Sequence, residues 1–180
     1  MAHIQEPDII KGCGPEETFH RAIKNEIEEI LSRMKSDRSL IEYFILDKFG
    51  LDLAIFMKWF DGSSTIRLFE IKAFVRSRQG GVGFGNRRGE GSQVDLLLLQ
   101  EKQLILADEF IRWILVDGTK PKGTRRYAIF SSREAKSAAM GGVKRGKQNN
   151  LRVNQLMRNA LTWDQLSEEL KRFLGGSNTA

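Results

Sequence analysis

Two acidic side chains and a lysine are spaced along residues 51–73 so that they can share one patch of a β-hairpin. Asp52 lies in a segment where apolar and polar residues alternate, and Glu70 and Lys72 lie in a second such segment. A period of two is typical of β-strands, and Asp61-Gly62 supplies the residues that tight turns prefer. Two neighbouring carboxylates repel each other, and a divalent cation such as magnesium removes that cost. A lysine beside them can stabilise charge on a phosphate oxygen, so the pattern indicates phosphate chemistry.

The register of the predicted hairpin decides which of these residues meet. With a three-residue loop between Phe60 and Ser64, Asp52 falls opposite Lys72 and diagonal to Glu70. A shift of one residue would move Asp52 to the other face of the sheet. We therefore expect the even register, in which the three groups share a face. The alternative is a half-exposed hairpin whose Glu70 and Lys72 form only a solvated charge pair.

The pattern of Asp52 followed by Glu70-Ile71-Lys72 resembles the PD-(D/E)XK nuclease superfamily. Its members carry the first acid and the Glu-x-Lys on neighbouring strands of a small mixed sheet. Leu51 stands where the superfamily usually has a proline, and the resemblance extends over roughly residues 16–130 in the order of elements. It implies an α/β fold with a restriction-endonuclease-like αβββαβ core, in which helices flank a central mixed sheet of four or five strands.

The resemblance also implies roles for the motif residues. Asp52, Glu70 and the main-chain carbonyl of Ile71 would hold Mg²⁺, for which Mn²⁺ would substitute. Lys72 would position a water molecule or stabilise the pentavalent phosphate. Asp52, Glu70 and Lys72 are therefore the expected catalytic residues.

Two helices are expected to carry further site residues. Gly14-Pro15 and two following acids predict a helix that runs to about Lys35. In many members of the superfamily a first-helix glutamate assists catalysis, and Glu26 is the candidate here; a boundary residue paired with a basic side chain is the alternative. Some members carry a site-facing glutamine on the helix after Glu-x-Lys. Gln93 is that candidate, with simple first-turn polarity as the alternative.

The remaining elements follow from periodicity and from start and stop signals. Residues 40–49 fit either a helix or a strand, and the superfamily's order favours a strand. Residues 92–107 predict one helix, with Ser92 as N-cap and Asp95 completing a partial capping box. Residues 109–117 and 125–130 predict strands. Capping boxes predict two more helices, and their residues are Ser131 with Glu134 and Thr162 with Gln165.

Length and composition predict one nuclease-like domain over residues 1–180, of which 41% are hydrophobic. We expect an irregular arm over 1–13, the core over 14–130, and a basic helical extension over 131–180 that packs on the core. The sequence has no apolar run long enough to cross a bilayer and no signal-peptide pattern. Cys13 is the only cysteine, which excludes an intrachain disulfide. A cytoplasmic location is therefore expected.

The positive charge is unevenly distributed, although the net charge is only +6. Residues 133–158 carry seven basic residues and one acid, and residues 75–92 form a stretch with six glycines and four arginines. Clustered cations favour a polyanion, whereas the alternatives are a solvated surface and a floppy loop. The predicted nucleic-acid contacts are Arg76, Arg78, Arg87, Arg88, Gln93, Lys144, Arg145 and Lys147.

These observations together predict a magnesium-dependent endonuclease that hydrolyses DNA phosphodiester bonds. Double-stranded DNA is the expected partner, and cutting both strands would be simplest for a homodimer. Restriction, homing, repair and junction resolution all remain open. The alternatives are a nucleic-acid-binding domain without catalysis and an RNA-processing nuclease. His3 and His20 lie near no nucleophile elbow, so a Ser-His-Asp or Cys-His enzyme is not expected.

Overall fold

The computed structural model describes residue 6, residues 15–74 and residues 81–176. Within these ranges a mixed sheet has five strands in the order β1-β2-β3-β5-β6. Strands β1 to β3 form an antiparallel meander, β5 lies parallel to β3, and β6 returns antiparallel to β5. The strand bounds are β1 Leu40–Phe49, β2 Leu51–Trp59, β3 Ser64–Phe74, β4 Gly81–Phe84, β5 Ile111–Asp117, β6 Tyr127–Phe130 and β7 Asn149–Arg152.

Helices cover both faces of this sheet. Their bounds are α1 Pro15–Ser36, α2 Ser92–Leu97, α3 Glu101–Ala107, α4 Ser132–Ala138, α5 Val153–Leu156 and α6 Trp163–Gly175, with a 3₁₀ turn at Met157–Asn159. One apolar core joins α1 and α6 to one face of the sheet. A second core joins β4, β7, α2 and α4 to the other face. The prediction of a mixed sheet flanked by helices is therefore confirmed.

Helix α1 forms where the sequence predicted it. It begins at Pro15, carries acids in its first turn and basic residues in its last, and so complements the helix dipole at both ends. Phe19, Ile23 and Ile27 recur at helical spacing and are fully buried against the sheet and α6. Their burial fixes which side of α1 faces the core.

Residues 40–49, which fit two periods, form strand β1 because they pair with β2. Tyr43 and Ile45 pack against the first core, whereas Phe44 between them is more than half exposed. This alternation is that of a strand with one covered face.

The single helix predicted over residues 92–107 is wrong, because the chain forms α2 and α3 with a break between them. The predicted cap also differs. Gly91 occupies the N-cap position of α2, and the Ser92 hydroxyl instead donates to the main-chain carbonyl of Gly50. A second start follows, where the Gln100 N–H donates to Gln103 Oε1 at 3.0 Å. Apolar residues keep their helical spacing through the break, so the pattern did not indicate where the second helix begins.

Parts of the glycine-rich stretch and of the basic stretch form strands. Strand β4 pairs antiparallel with β7 to make a separate two-stranded sheet. Val82, Phe84 and Leu151 are buried in the second core, and this burial offsets the entropic cost of ordering glycines.

The C-terminal part of the chain departs from the predicted helical extension. It contains strand β7, and α6 contributes three buried leucines to the first core. The two predicted capping boxes are confirmed at Ser131 and Thr162. The arm over residues 1–13 lies outside the described residues except for Glu6, which accepts the Tyr127 hydroxyl at 2.8 Å. In the described ranges, none of the helices has the length and apolar character needed to cross a membrane.

Candidate active site

The hairpin of β2 and β3 closes one residue earlier than predicted. The Trp59 N–H donates to the Ser63 carbonyl at 2.9 Å, so the loop between them is Phe60-Asp61-Gly62. The Asp61 carboxylate stabilises the turn by accepting from the Ser63 N–H at 2.8 Å. The whole ladder is therefore shifted by two residues from the prediction. Because side chains alternate with a period of two, an even shift leaves every side chain on its expected face.

Asp52 lies where the pairing of β2 with β3 ends. The last pair in the ladder is Leu53 with Phe69, so continuing the register places Asp52 opposite Glu70 rather than opposite Lys72. The Ile71 N–H, which faces β2, donates to Asp52 Oδ2 at 2.7 Å. The carboxylate therefore takes a main-chain bond that the neighbouring strand would otherwise accept, and its orientation is fixed.

Glu70 is the centre of the cluster and its side chain is 0% exposed. Lys72 Nζ lies 2.6 Å from Glu70 Oε1, and Gln93 Nε2 donates to the same oxygen at 2.9 Å. The second oxygen, Oε2, is buried with no hydrogen-bond partner in the described part of the chain. A buried carboxylate oxygen without a partner costs free energy, which makes it a point where a ligand would bind favourably.

The Lys72 ammonium is held between two carboxylates. Besides Glu70, its ammonium contacts Glu16 Oε1 of the first turn of α1 at 3.1 Å. The Lys72 side chain is 16% exposed and that of Glu16 is 57% exposed. Helix α1 is anchored to the same region by His20, whose Nε2–H donates to the main-chain carbonyl of Asp52 at 3.2 Å. Solvent therefore reaches the cluster from the side of Glu16.

The electrostatics of Glu70 follow from its burial. Burial raises its pKa to about 7, the charge of Lys72 opposes this, and the charge of Asp52 adds to it. For Lys72, burial lowers the pKa, but the carboxylates of Glu70 and Glu16 outweigh burial, so the pKa is raised. The lysine is therefore charged throughout the physiological range, and Glu70 titrates near neutrality.

The residues at this site fit a magnesium ion. Across the described ranges, no group of three or more His, Cys, Asp or Glu side chains is arranged to hold a metal. Magnesium needs fewer, because it keeps several waters and is commonly held by one or two carboxylates. The buried free oxygen of Glu70 and the neighbouring Asp52 supply two. The main-chain carbonyl of Ile71, which the resemblance adds, belongs to the residue between Glu70 and Lys72.

Glu26 lies away from this cluster. Its side chain is buried between α1 and α6, where Ser167 Oγ donates to Glu26 Oε1 at 2.5 Å. The α1 acid that reaches the cluster is Glu16, ten positions earlier and so about 15 Å away along the helix. The sequence predicted the first-turn acids only as a helix start, and their place at the start of α1 was the signal that could have found Glu16.

Gln93 reaches the cluster from α2. Its amide donates to Glu70 rather than standing free for a nucleic acid. The Ser92 hydroxyl next to it holds the start of α2 against the turn before β2. This contact positions Gln93 above the carboxylate.

The predicted basic contacts gather at one end of the β4–β7 sheet. The side chains of Arg87, Arg88, Lys144 and Lys147 are exposed there, and Arg145 pairs with Asp95 of α2. Arg76 and Arg78 lie outside the described residues. Two stretches that are distant in sequence therefore form one cationic region beside α2.

Comparisons with known proteins found no matching family model, no matching curated protein and no matching solved structure. The chemistry of the site and the topology of the sheet are therefore the basis for a functional assignment.

Proposed function

We propose that the protein is a magnesium-dependent endonuclease that hydrolyses DNA phosphodiester bonds, and that its catalytic residues are Asp52, Glu70 and Lys72. The observation that carries this proposal is the buried Glu70 carboxylate. One of its oxygens is held by Lys72 and Gln93, and the other has no partner within the described ranges, next to a second acid.

A cation at this point would remove two costs at once. An unsatisfied buried polar atom costs about 1–3 kcal/mol, and the Asp52 charge disfavours ionisation of Glu70. Asp52, Glu70 and the Ile71 carbonyl would hold the ion. When bound, magnesium polarises a phosphate oxygen and lowers the pKa of a water molecule.

The chain's own side chains supply the remaining functions. Lys72, charged and fixed between two carboxylates, can orient a water molecule or stabilise the negative charge that develops on the phosphate. Gln93 fixes the rotamer of Glu70, and the Ile71 N–H fixes Asp52. Such preorganisation matters because these groups then need no rearrangement during the reaction.

The topology supports the same proposal. An α-helix, an antiparallel meander of three strands, crossover helices and a strand parallel to β3 follow one another along the chain. With β4 inserted before the crossover helices, this order supports the αβββαβ core that the resemblance implies. The acids also come from two neighbouring strands at the point where their pairing ends.

The test is cleavage of supercoiled plasmid with and without magnesium. We expect magnesium-dependent nicking that Lys72→Ala abolishes while DNA binding is retained. Lys171→Ala, an exposed change on α6, is the matched control and should cut like the wild type. Absence of cutting on plasmid, linear and branched DNA would overturn the proposal.

A second candidate is a nucleic-acid-binding protein without catalysis. The observation that favours it is the pairing of Lys72 with both Glu70 and Glu16, because an ion pair of this kind can be purely structural. It predicts DNA binding that is insensitive to metal and no cleavage. Structured RNA in the same assay tests for an RNA-processing nuclease, and sedimentation of the DNA complex tests the proposed homodimer.

A further inference from the structure

We propose that the β4–β7 ribbon enters the major groove of duplex DNA, so that Gln148, Asn150 and Arg152 face the base edges and the basic loops beside it hold the phosphates. This inference rests on the proposed function for the choice of DNA, and it names the element that recognises the substrate.

The inner face of the ribbon is fixed to the domain. Val82 and Leu151 form a cross-strand pair, and both are buried in the second core together with Phe84. The Phe84 ring makes an edge contact with Trp113 of β5, with 6.2 Å between ring centroids. The ribbon is therefore held against the second core by one face, and Ala139 forms a bridge with Leu151 along the outer edge of β7. Its other face is turned away from that core.

The outer face of the ribbon carries polar side chains on β7 and glycines on β4, and the exposed Met140 side chain lies beside Gly81 at the end away from the basic loops. Gly83 is exposed opposite Asn150, and a Cβ at Gly83 would lie 3.5 Å from Gln148 Nε2 and 3.6 Å from Asn150 Oδ1. Both side-chain amides therefore lie beside a part of β4 that has no side chain on this face. Arg152 is exposed opposite Gly81. Among the described residues, these three side chains have no hydrogen-bond or ion-pair partner.

The cations lie at one end of the ribbon. Because Phe84 pairs with Asn149, the loops at 85–91 and 141–148 leave the ribbon from the same end. They touch through main-chain atoms, since a Cβ at Gly89 would fall 2.0 Å from the Lys147 carbonyl oxygen. Arg87, Arg88, Lys144 and Lys147 are exposed on these loops, and in the described ranges their charged groups have no ion-pair partner.

The chemistry of this surface fits a groove reader. The major groove of B-form DNA admits a two-stranded ribbon, and asparagine, glutamine and arginine are the side chains that bond adenine and guanine edges there. Lysine and arginine on flanking loops contact phosphates and set the register. Duplex RNA has a deep and narrow major groove that excludes such a ribbon. The surface therefore fits duplex DNA.

The ribbon is also continuous with the candidate active site. The loop at 85–91 leads directly into α2, and Gln93 of α2 contacts Glu70. The ion pair of Arg145 with Asp95 ties the other basic loop to the same helix. Recognition by the ribbon and cleavage at Glu70 would thus act on one bound duplex.

The experiment is selection from a pool of randomised DNA duplexes in EDTA, so that binding is measured without cleavage. Gln148→Ala and Asn150→Ala should each relax the sequence preference by roughly tenfold at one position, with the slope of binding against salt unchanged. Lys144→Ala should weaken binding to all sequences equally and reduce that slope by about one. Lys171→Ala is the control. Because the Gln148 side chain is exposed, Gln148→Ala should leave folding intact.

Two results would overturn the inference. One is a sequence preference that is the same in wild type, Gln148→Ala and Asn150→Ala. The other is tighter binding to single-stranded DNA or duplex RNA than to duplex DNA. Plasmid assays separate this inference from the proposed function. If the protein cleaves DNA but its ribbon variants bind like the wild type, only the ribbon inference is rejected. If binding depends on the ribbon but no DNA is cleaved, only the proposed nuclease activity is rejected.

Discussion

Among the described residues two glutamates are buried, Glu26 and Glu70, and their surroundings differ. Both side chains are almost completely inaccessible, and both leave Oε2 without a hydrogen-bond partner in the part of the chain that is described. Glu26 lies between α1 and α6 and accepts from Ser167. Glu70 has Lys72 and Gln93 on one oxygen and the charge of Asp52 nearby. Burial of an acid is therefore not enough to indicate a site.

The second difference is access. Glu26 is surrounded by the apolar residues of the first core, which includes Phe19, Ile23 and Ile27. Glu70 lies where the β2–β3 ladder ends, beside the partly exposed Lys72. Glu70 is a candidate for chemistry because it has a second acid, a charged lysine and an opening to solvent beside it. Within the described ranges, Glu26 has none of these and is a structural group.

The largest expected effect separates the two acids by activity. Glu70→Gln should reduce magnesium-dependent cleavage by on the order of 10²–10³, because it removes the charge that would hold the ion. Glu26→Gln is the matched change and should cut at the wild-type rate. Plasmid nicking under single-turnover conditions measures both. Equal losses in the two variants would remove the distinction between the acids.

The next effect is on stability and depends on pH. The folded pKa of Glu70 is raised from 4.5 to about 7, so the folded metal-free protein binds this proton more tightly than the unfolded chain does. The resulting stabilisation is complete below about pH 4.5 and is lost as the pH rises through 7, with a total of up to about 3 kcal/mol. Urea unfolding of the wild type and of Glu70→Gln measures the difference. Parallel pH profiles would contradict the assignment.

Magnesium should reverse that loss above pH 7, because the deprotonated carboxylate binds the cation only in the folded state. The same unfolding series with added magnesium provides this measurement, and Glu70→Gln should show no gain.

A smaller effect is expected at the other acid. Ser167→Ala should lower the free energy of unfolding by about 1–3 kcal/mol, because it removes a hydrogen bond from the buried Glu26 carboxylate. Cleavage should be unchanged. Lys171→Ala on the same helix is exposed and should change stability by less than about 0.5 kcal/mol. If Ser167→Ala lost cleavage under conditions in which it is completely folded, Glu26 would be linked to the site.

The smallest effect is expected at Gln93. Gln93→Ala removes one donor to Glu70 and should slow cleavage by about tenfold. The reason is that Glu70 keeps Lys72 but loses part of its orientation. A magnesium titration of the rate checks this, and an unchanged rate at every concentration would show that Gln93 only fills space.

The face shared by Asp52, Glu70 and Lys72 could be predicted from the sequence, whereas their pairing could not. Alternation fixes which residues share a face, but Asp61-Gly62 allows the loop to close at more than one position. The observed loop moves the partner of Asp52 from Lys72 to Glu70. The shared face was still predicted correctly, because the predicted register differs from the observed one by an even number of residues.

Contacts between distant segments account for most of what the sequence missed. Glycines at positions 81 and 83 lowered the local strand signal, and the partner strand that orders them lies far along the chain. Glu26 lies on the buried face of α1, and that face is covered by α6 rather than by the site. Neither partner can be identified from the segment alone, because local periodicity reports burial and not the neighbour.

The contact at Gly89 has a consequence for the length of its loop. Surface loops ordinarily tolerate inserted and deleted residues. Here Gly89 has a φ of +66°, and the Lys147 main chain occupies the space of a side chain. Deleting or inserting one residue between 85 and 89 would bring a bulkier neighbour to this position. The loop is therefore constrained in its number of residues even though most of its surface faces solvent.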